Sequence, residues 1–185
     1  VFNMKYSKKF FVSVMEVAIK AAVRGGNILQ EHSDDASGIL HAKESFRDVV
    51  TPIEVYAQEE MLKTLMGYRE RYEIVAEEKE NPSKIKRNGT YWLVDPLDGT
   101  VNYINTIPFY AVSIAFVLKG KPVVGVIFNP STKELYYGAK GLGAYKNKHK
   151  IKTSLRKPKE ALFAASFAGK NYFSPVGRKK EFLEF

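Results

Sequence analysis

An α+β fold is what this 185-residue sequence predicts. Two observations carry the expectation. Residues 11–29 place apolar side chains at helical spacing and a capping signal opens a second helix over 51–66, and residues 72–138 break into short runs of β-branched and aromatic residues separated by turns. Two long helices packed on an antiparallel sheet satisfy both patterns.

The first helix is expected over Phe11–Leu29, where Val14, Val17, Ala18, Ala21, Ala22, Ile28 and Leu29 wind one apolar stripe. Gly25 and Gly26 interrupt it at about 1 kcal/mol each relative to alanine, so close approach of another backbone is the expected reason for them. The second helix starts at Thr51-Pro52-Ile53-Glu54 and runs to about Met66: threonine caps, proline suits the first turn, and the glutamate three residues on completes a capping box. Strands are expected at 72–76, 91–94, 109–118, 122–128 and 134–138, the last three forming a meander. A turn is expected at Asn147–His149 and a further strand at Ala161–Ala168. This reading gives an N-terminal α+β domain over 1–155, and over 156–185 the start of a second, α/β domain that is incomplete in this chain.

Composition narrows the chemistry. With 45% apolar residues and abundant aromatics the chain can bury a substantial core. It has no cysteine and three histidines, so disulfides and thiolate zinc sites are excluded and a metal would rest on oxygen ligands. Apolar runs such as 109–118 fall short of the roughly 20 residues of a membrane span, and no signal-peptide cleavage pattern is present. A cytoplasmic protein without membrane partners is the expectation. The formal charge of +9 favours anionic partners, either a phosphorylated small molecule or nucleic acid.

The most informative stretch is Trp92-Leu-Val-Asp95-Pro-Leu-Asp98-Gly-Thr100-Val-Asn-Tyr103. A hydrophobic strand delivers two carboxylates to its C-terminal end, where Pro96 fixes one torsion and Gly99 permits a tight turn, so that Asp95 and Asp98 converge. Converging carboxylates repel unless cations neutralise them, and hard oxygen donors favour Mg²⁺ or Mn²⁺. A short helix after Gly99 would turn its first free N–H groups toward the same spot and hold a phosphate oxygen. Taken alone, Asp98-Gly99-Thr100 also reads as a plain turn with a helix cap.

The run Asp95-Pro-Leu-Asp-Gly-Thr-Val-Asn-Tyr103, followed by Pro108-Phe-Tyr-Ala-Val-Ser-Ile-Ala115, resembles the signature of the inositol monophosphatase family. Ala76-Glu77-Glu78 resembles that family's G-E-E element, Val50-Thr51-Pro52-Ile53-Glu54 its V-T-x-x-D element, and Gly141-Leu-Gly-Ala-Tyr145 its glycine-aromatic turn. The resemblance implies a layered αβαβα sandwich of the sugar-phosphatase type, a homodimer, and a Mg²⁺-dependent, Li⁺-sensitive phosphatase using two or three ions. It implies that Glu77, Asp95, the Leu97 carbonyl and Thr100 surround a first metal and that Asp95 and Asp98 hold a second. Gly99 and Thr100 would contact phosphate, Glu54 and Thr100 would orient the attacking water, Glu78 would support the metal shell, and Lys43 would sit on a loop near the site.

The sequence departs from the family at Glu54, where aspartate is usual, and the extra methylene could shift the water by about 1 Å, enough to cost on the order of 100-fold in rate. Ala76 for glycine and Tyr103 for phenylalanine read as minor. The family's later W-D element has no counterpart here, so this chain alone is expected to lack a complete site. With no cysteine and no histidine matching a family site, direct attack by water without a phosphoenzyme is expected. Inositol monophosphate is the leading substrate, with fructose 1,6-bisphosphate, histidinol phosphate and 3'-phosphoadenosine phosphate as alternatives. A small phosphorylated substrate is preferred to a nucleic-acid partner. The competing reading from another class is a basic, RNA-associated regulatory protein with little catalysis.

Overall fold

The computed structural model describes residues 6–33, 41–42, 49–68, 70–76, 88–160 and 162. Lys43, Glu77, Glu78 and all but Leu162 of the strand expected at 161–168 lie outside them. Helix α1 (Lys8–Glu31) starts at Ser7, whose hydroxyl accepts the Phe10 N–H at 3.3 Å and satisfies one donor of the open first turn. Helix α2 (Pro52–Met66) starts at Thr51 with the expected capping box: the Thr51 hydroxyl accepts the Glu54 N–H at 3.1 Å, and Glu54 Oε2 accepts the Thr51 N–H at 3.4 Å. The two helices pack on each other, and there the paired glycines find their role. A methyl group on Gly25 would run into the side chain of Met61 on α2, and one on Gly26 into the ring of Phe128. Side chains fill most of the space left by the missing methyls, and the backbone approach expected from the sequence is present at Gly25, where a methyl would lie 3.7 Å from the Ala57 carbonyl oxygen. Glu60 pairs with Lys63 on its own helix and with Arg24 across the same seam, and the two hold its carboxyl below the ordinary range.

A short antiparallel pair, β1 (His41–Ala42) and β2 (Val49–Val50), precedes α2. The main sheet runs β3 (Glu73–Ala76), β4 (Tyr91–Asp98), β5 (Ala111–Leu118), β6 (Lys121–Asn129), β7 (Glu134–Ala139), β8 (Gly143–Lys146) and β9 (His149–Ile151) in that spatial order. All neighbours are antiparallel except β3 and β4, which amends the expected all-antiparallel sheet. Residues 77–90 between them are long enough for the crossover that a parallel pair requires. The turn expected at Asn147–His149 joins β8 to β9, and the two strands themselves go unannounced in the sequence because exposed, lysine-rich edge strands carry no apolar alternation.

Alternation sorts the sheet into two faces. Trp92, Val94, Val112, Ile114, Phe116, Val124, Val126 and Phe128 are buried in the cluster shared with α1 and α2. Their neighbours point the other way, and among the described residues that second face leaves Leu93 42% and Ile127 49% exposed. The chain separates into two compact units, Val1–Lys152, which holds everything above, and Thr153–Phe185, in which Pro158–Glu160 forms a 3-10 turn. No helix among the described residues is long and apolar enough to cross a membrane.

Candidate active site

In a regular strand, residues three apart point to opposite faces, so Asp95 and Asp98 could not share a site. The ladder resolves this with a bulge. Asp95 pairs with Ser113 and Asp98 with Ala111, so three steps on β4 match two on β5. The extra residue inverts the alternation, and both aspartates fall on the face opposite α1 and α2. The Leu97 N–H, left out of the ladder by the bulge, donates to Asp95 Oδ1 at 3.0 Å.

Gly99 then turns the chain with φ 100° and ψ 36°, a left-handed conformation costly for any residue with a β-carbon. Space demands glycine too, since a methyl there would lie 3.1 Å from the Phe109 carbonyl oxygen and 3.2 Å from Tyr110 Cβ. Helix α3 (Thr100–Ile104) follows at once, and the Thr100 hydroxyl donates to the Leu97 carbonyl at 3.1 Å. Asp95, the Leu97 carbonyl, Asp98, Gly99 and Thr100 therefore occupy one short bend at the end of β4.

Two other elements approach it. Strand β3 ends at Ala76, the register partner of Val94, one residue before Asp95, and Glu77 follows in the chain beyond the described residues. A cavity of about 450 Å³ lies there, lined by Val75, Ala76, Leu93, Asp95, Ser113 and Ala115. From the helical layer, the first turn of α2 supplies Glu54, only 1% exposed, whose charge is felt at Tyr103 on α3.

The donors at the bend are all hard oxygens: two carboxylates, a carbonyl and a hydroxyl. That set fits Mg²⁺ or Mn²⁺ and is unsuited to softer metals. Among the described residues no three acidic or histidine side chains converge on a metal position.

Three contributors were not foreseen. The Tyr103 hydroxyl, buried with its ring, donates to the Leu29 carbonyl of α1 at 2.8 Å. Burial first, then Tyr110 and Glu54, push this phenol above its ordinary range, so it stays a donor at any working pH. Asn102 Nδ2 donates to the Phe109 carbonyl at 2.7 Å and braces the loop behind α3. Gln58, one turn past Glu54, is buried at 4% exposure. A buried polar residue on an otherwise solvent-patterned turn gives no signal in the spacing of apolar residues.

The sequence profile of the inositol monophosphatase family matches residues 12–181. This chain belongs to the inositol monophosphatase family. Among curated relatives of this family member, the fructose-1,6-bisphosphatase/inositol-1-monophosphatase of Aquifex aeolicus is 36% identical over 140 residues, covering 75% of this chain and 52% of that protein. The Nus factor SuhB of Escherichia coli K12 is 27% identical over 162 residues, covering 86% of this chain and 60% of that protein. An inositol monophosphatase structure from Thermotoga maritima superposes with a TM-score of 0.68 at 28% identity, covering 76% of this chain and 53% of that one. The chain thus spans roughly half to three-fifths of the length of these relatives.

Proposed function

We propose that this member of the inositol monophosphatase family takes part in Mg²⁺-dependent hydrolysis of a small phosphate monoester, inositol monophosphate first among the candidates. The bulge that turns Asp95 and Asp98 to one face carries the reading, because nothing in strand stability calls for two like charges there. Asp95, Asp98 and the Leu97 carbonyl would hold Mg²⁺, with Glu77 completing the set. Two divalent ions, when bound, would acidify water and offset phosphate charge. Thr100 and Glu54 would orient that water, and the backbone N–H groups of Gly99 and Thr100 would donate hydrogen bonds to phosphate oxygens. The protein would work in the cytoplasm as a homodimer.

The test is phosphate release from inositol monophosphate, fructose 1,6-bisphosphate, histidinol phosphate and 3'-phosphoadenosine phosphate, with Mg²⁺ titrated from zero. Activity that needs Mg²⁺, is suppressed by Li⁺ and is lost in Asp95→Asn is expected; Mg²⁺-independent release would end the proposal. Equal rates on all four substrates would defeat the inositol assignment.

A second reading is favoured by the sheet edge. The Asn147 side chain ties the β8–β9 turn to β7 by accepting the Leu135 N–H at 2.8 Å, which gathers Lys133, Lys146 and Lys148 at one corner, where Glu134 pairs with Lys146. A basic corner on a chain similar to a Nus factor suits an RNA-associated regulatory role. RNA affinity that falls steeply between low and physiological salt, unchanged in Asp95→Asn, would favour it.

A further inference from the structure

We propose that Tyr103 is a positioning residue for the Asp98–Thr100 bend, acting through a hydroxyl tether to the C-terminal end of α1. This inference rests on the metal-site reading above and adds to it a residue of this chain that the resemblance treats as a minor replacement for phenylalanine.

The last carbonyls of a helix lack partners within it. At the end of α1, the Ile28 carbonyl lies 2.9 Å from His32 Nδ1, and the Gln30 carbonyl accepts the Ser33 hydroxyl at 2.9 Å. The Leu29 carbonyl is met by Tyr103, 74 residues away in the chain. Both ends of this bond are buried, so no water stands ready to replace it.

At the other end is a helix of five residues, too short to hold itself. Its orientation depends on anchors: the Tyr103 N–H to the Gly99 carbonyl at 3.0 Å, the Asn102 amide to the Phe109 carbonyl, and the Tyr103 hydroxyl to α1. The first is the helix's own bond to its N-cap, and the second reaches only the neighbouring loop. The third alone of these reaches the helical layer, and the ring that carries it packs edge-on against Tyr110 at 5.0 Å. Thr100 lies three residues before Tyr103 and thus on the same side of α3. Rotation of α3 about its axis would move the Thr100 hydroxyl and the turn at Gly99 together, and the tether opposes that rotation.

The experiment compares the 185-residue protein with Tyr103→Phe, which removes one oxygen. Mn²⁺ binding is followed by water-proton relaxation, and amide exchange is followed in α3 and at the end of α1. Roughly tenfold weaker Mn²⁺ binding is expected, the low end of losses seen when a group supporting metal ligands is removed, with faster exchange confined to residues 100–105. Ile114→Val, a core variant on β5, serves as control: it should lower the melting temperature and leave Mn²⁺ affinity unchanged. If Asp95→Asn abolishes binding while Tyr103→Phe binds Mn²⁺ like wild type, the positioning role is overturned and the metal site stands. If the wild-type protein binds no Mn²⁺, the site reading falls and the positioning role with it. Unchanged exchange in α3 would overturn the tether on its own.

Discussion

Glu54 occupies two roles that a single substitution can separate. Its carboxylate closes the capping box of α2, and by resemblance it would also orient water. Glutamine completes a capping box as well as glutamate does, but it cannot accept a proton. Glu54→Gln should therefore melt within a few degrees of wild type and lose on the order of 100-fold in kcat, a modest loss for a general base. Equal activity would reduce Glu54 to a cap. Two buried phenols make a second contrast. Tyr68 carries a buried hydroxyl with no hydrogen-bond partner among the described residues, whereas the Tyr103 hydroxyl is bonded. Tyr68→Phe should be neutral or stabilising and Tyr103→Phe destabilising by about 1–3 kcal/mol, since only the second strands a buried carbonyl. Urea melts of the two variants check the ordering.

At the scale of elements, the adjacent glycines of α1 should respond differently to alanine. Each substitution gains about 1 kcal/mol of helix propensity. Gly25→Ala presses on Met61, a flexible side chain that can swing aside, so the net effect should be close to zero. Gly26→Ala presses on the stiff Phe128 ring, and an overpacking penalty of about 1–3 kcal/mol should leave a net loss. Equal melting temperatures for the two variants would contradict this packing. The motif from Asp95 to Thr100 was legible as a bend because proline and glycine announce one. The bulge that gives the bend its parity was not, since it exists only in the pairing of β4 with β5.

For the whole molecule, alkaline pH is the informative variable. Burial raises the phenols of Tyr72, Tyr103 and Tyr110 above their ordinary values. The unfolded chain releases these protons near pH 10, while the folded protein still holds them. The unfolded state then binds fewer protons, so stability is complete below about pH 10 and falls as pH rises beyond it. A melting temperature level from pH 7 to 9 and dropping toward pH 11 is expected. Association is the other property at this scale. Helix α3 exposes Val101 and the loop after it Ile107 and Phe109, the last by 77%, and the proposed homodimer could cover them. Sedimentation should give a dimer for the wild type and a larger monomer fraction for Phe109→Ser if it does.

The sequence by itself determined the helices, the capping box, most strands, the family and the absence of any thiolate ligand. Each of these depends on local spacing or residue chemistry, which are properties of neighbours along the chain. Tertiary structure alone decided that β3 runs parallel to β4, that a bulge turns Asp95 and Asp98 to one face, that Met61 and Phe128 fill the space beside the α1 glycines, and that Tyr103 reaches Leu29. Those facts depend on which distant segments meet and in what register, and the period of a single segment carries no information about its partner.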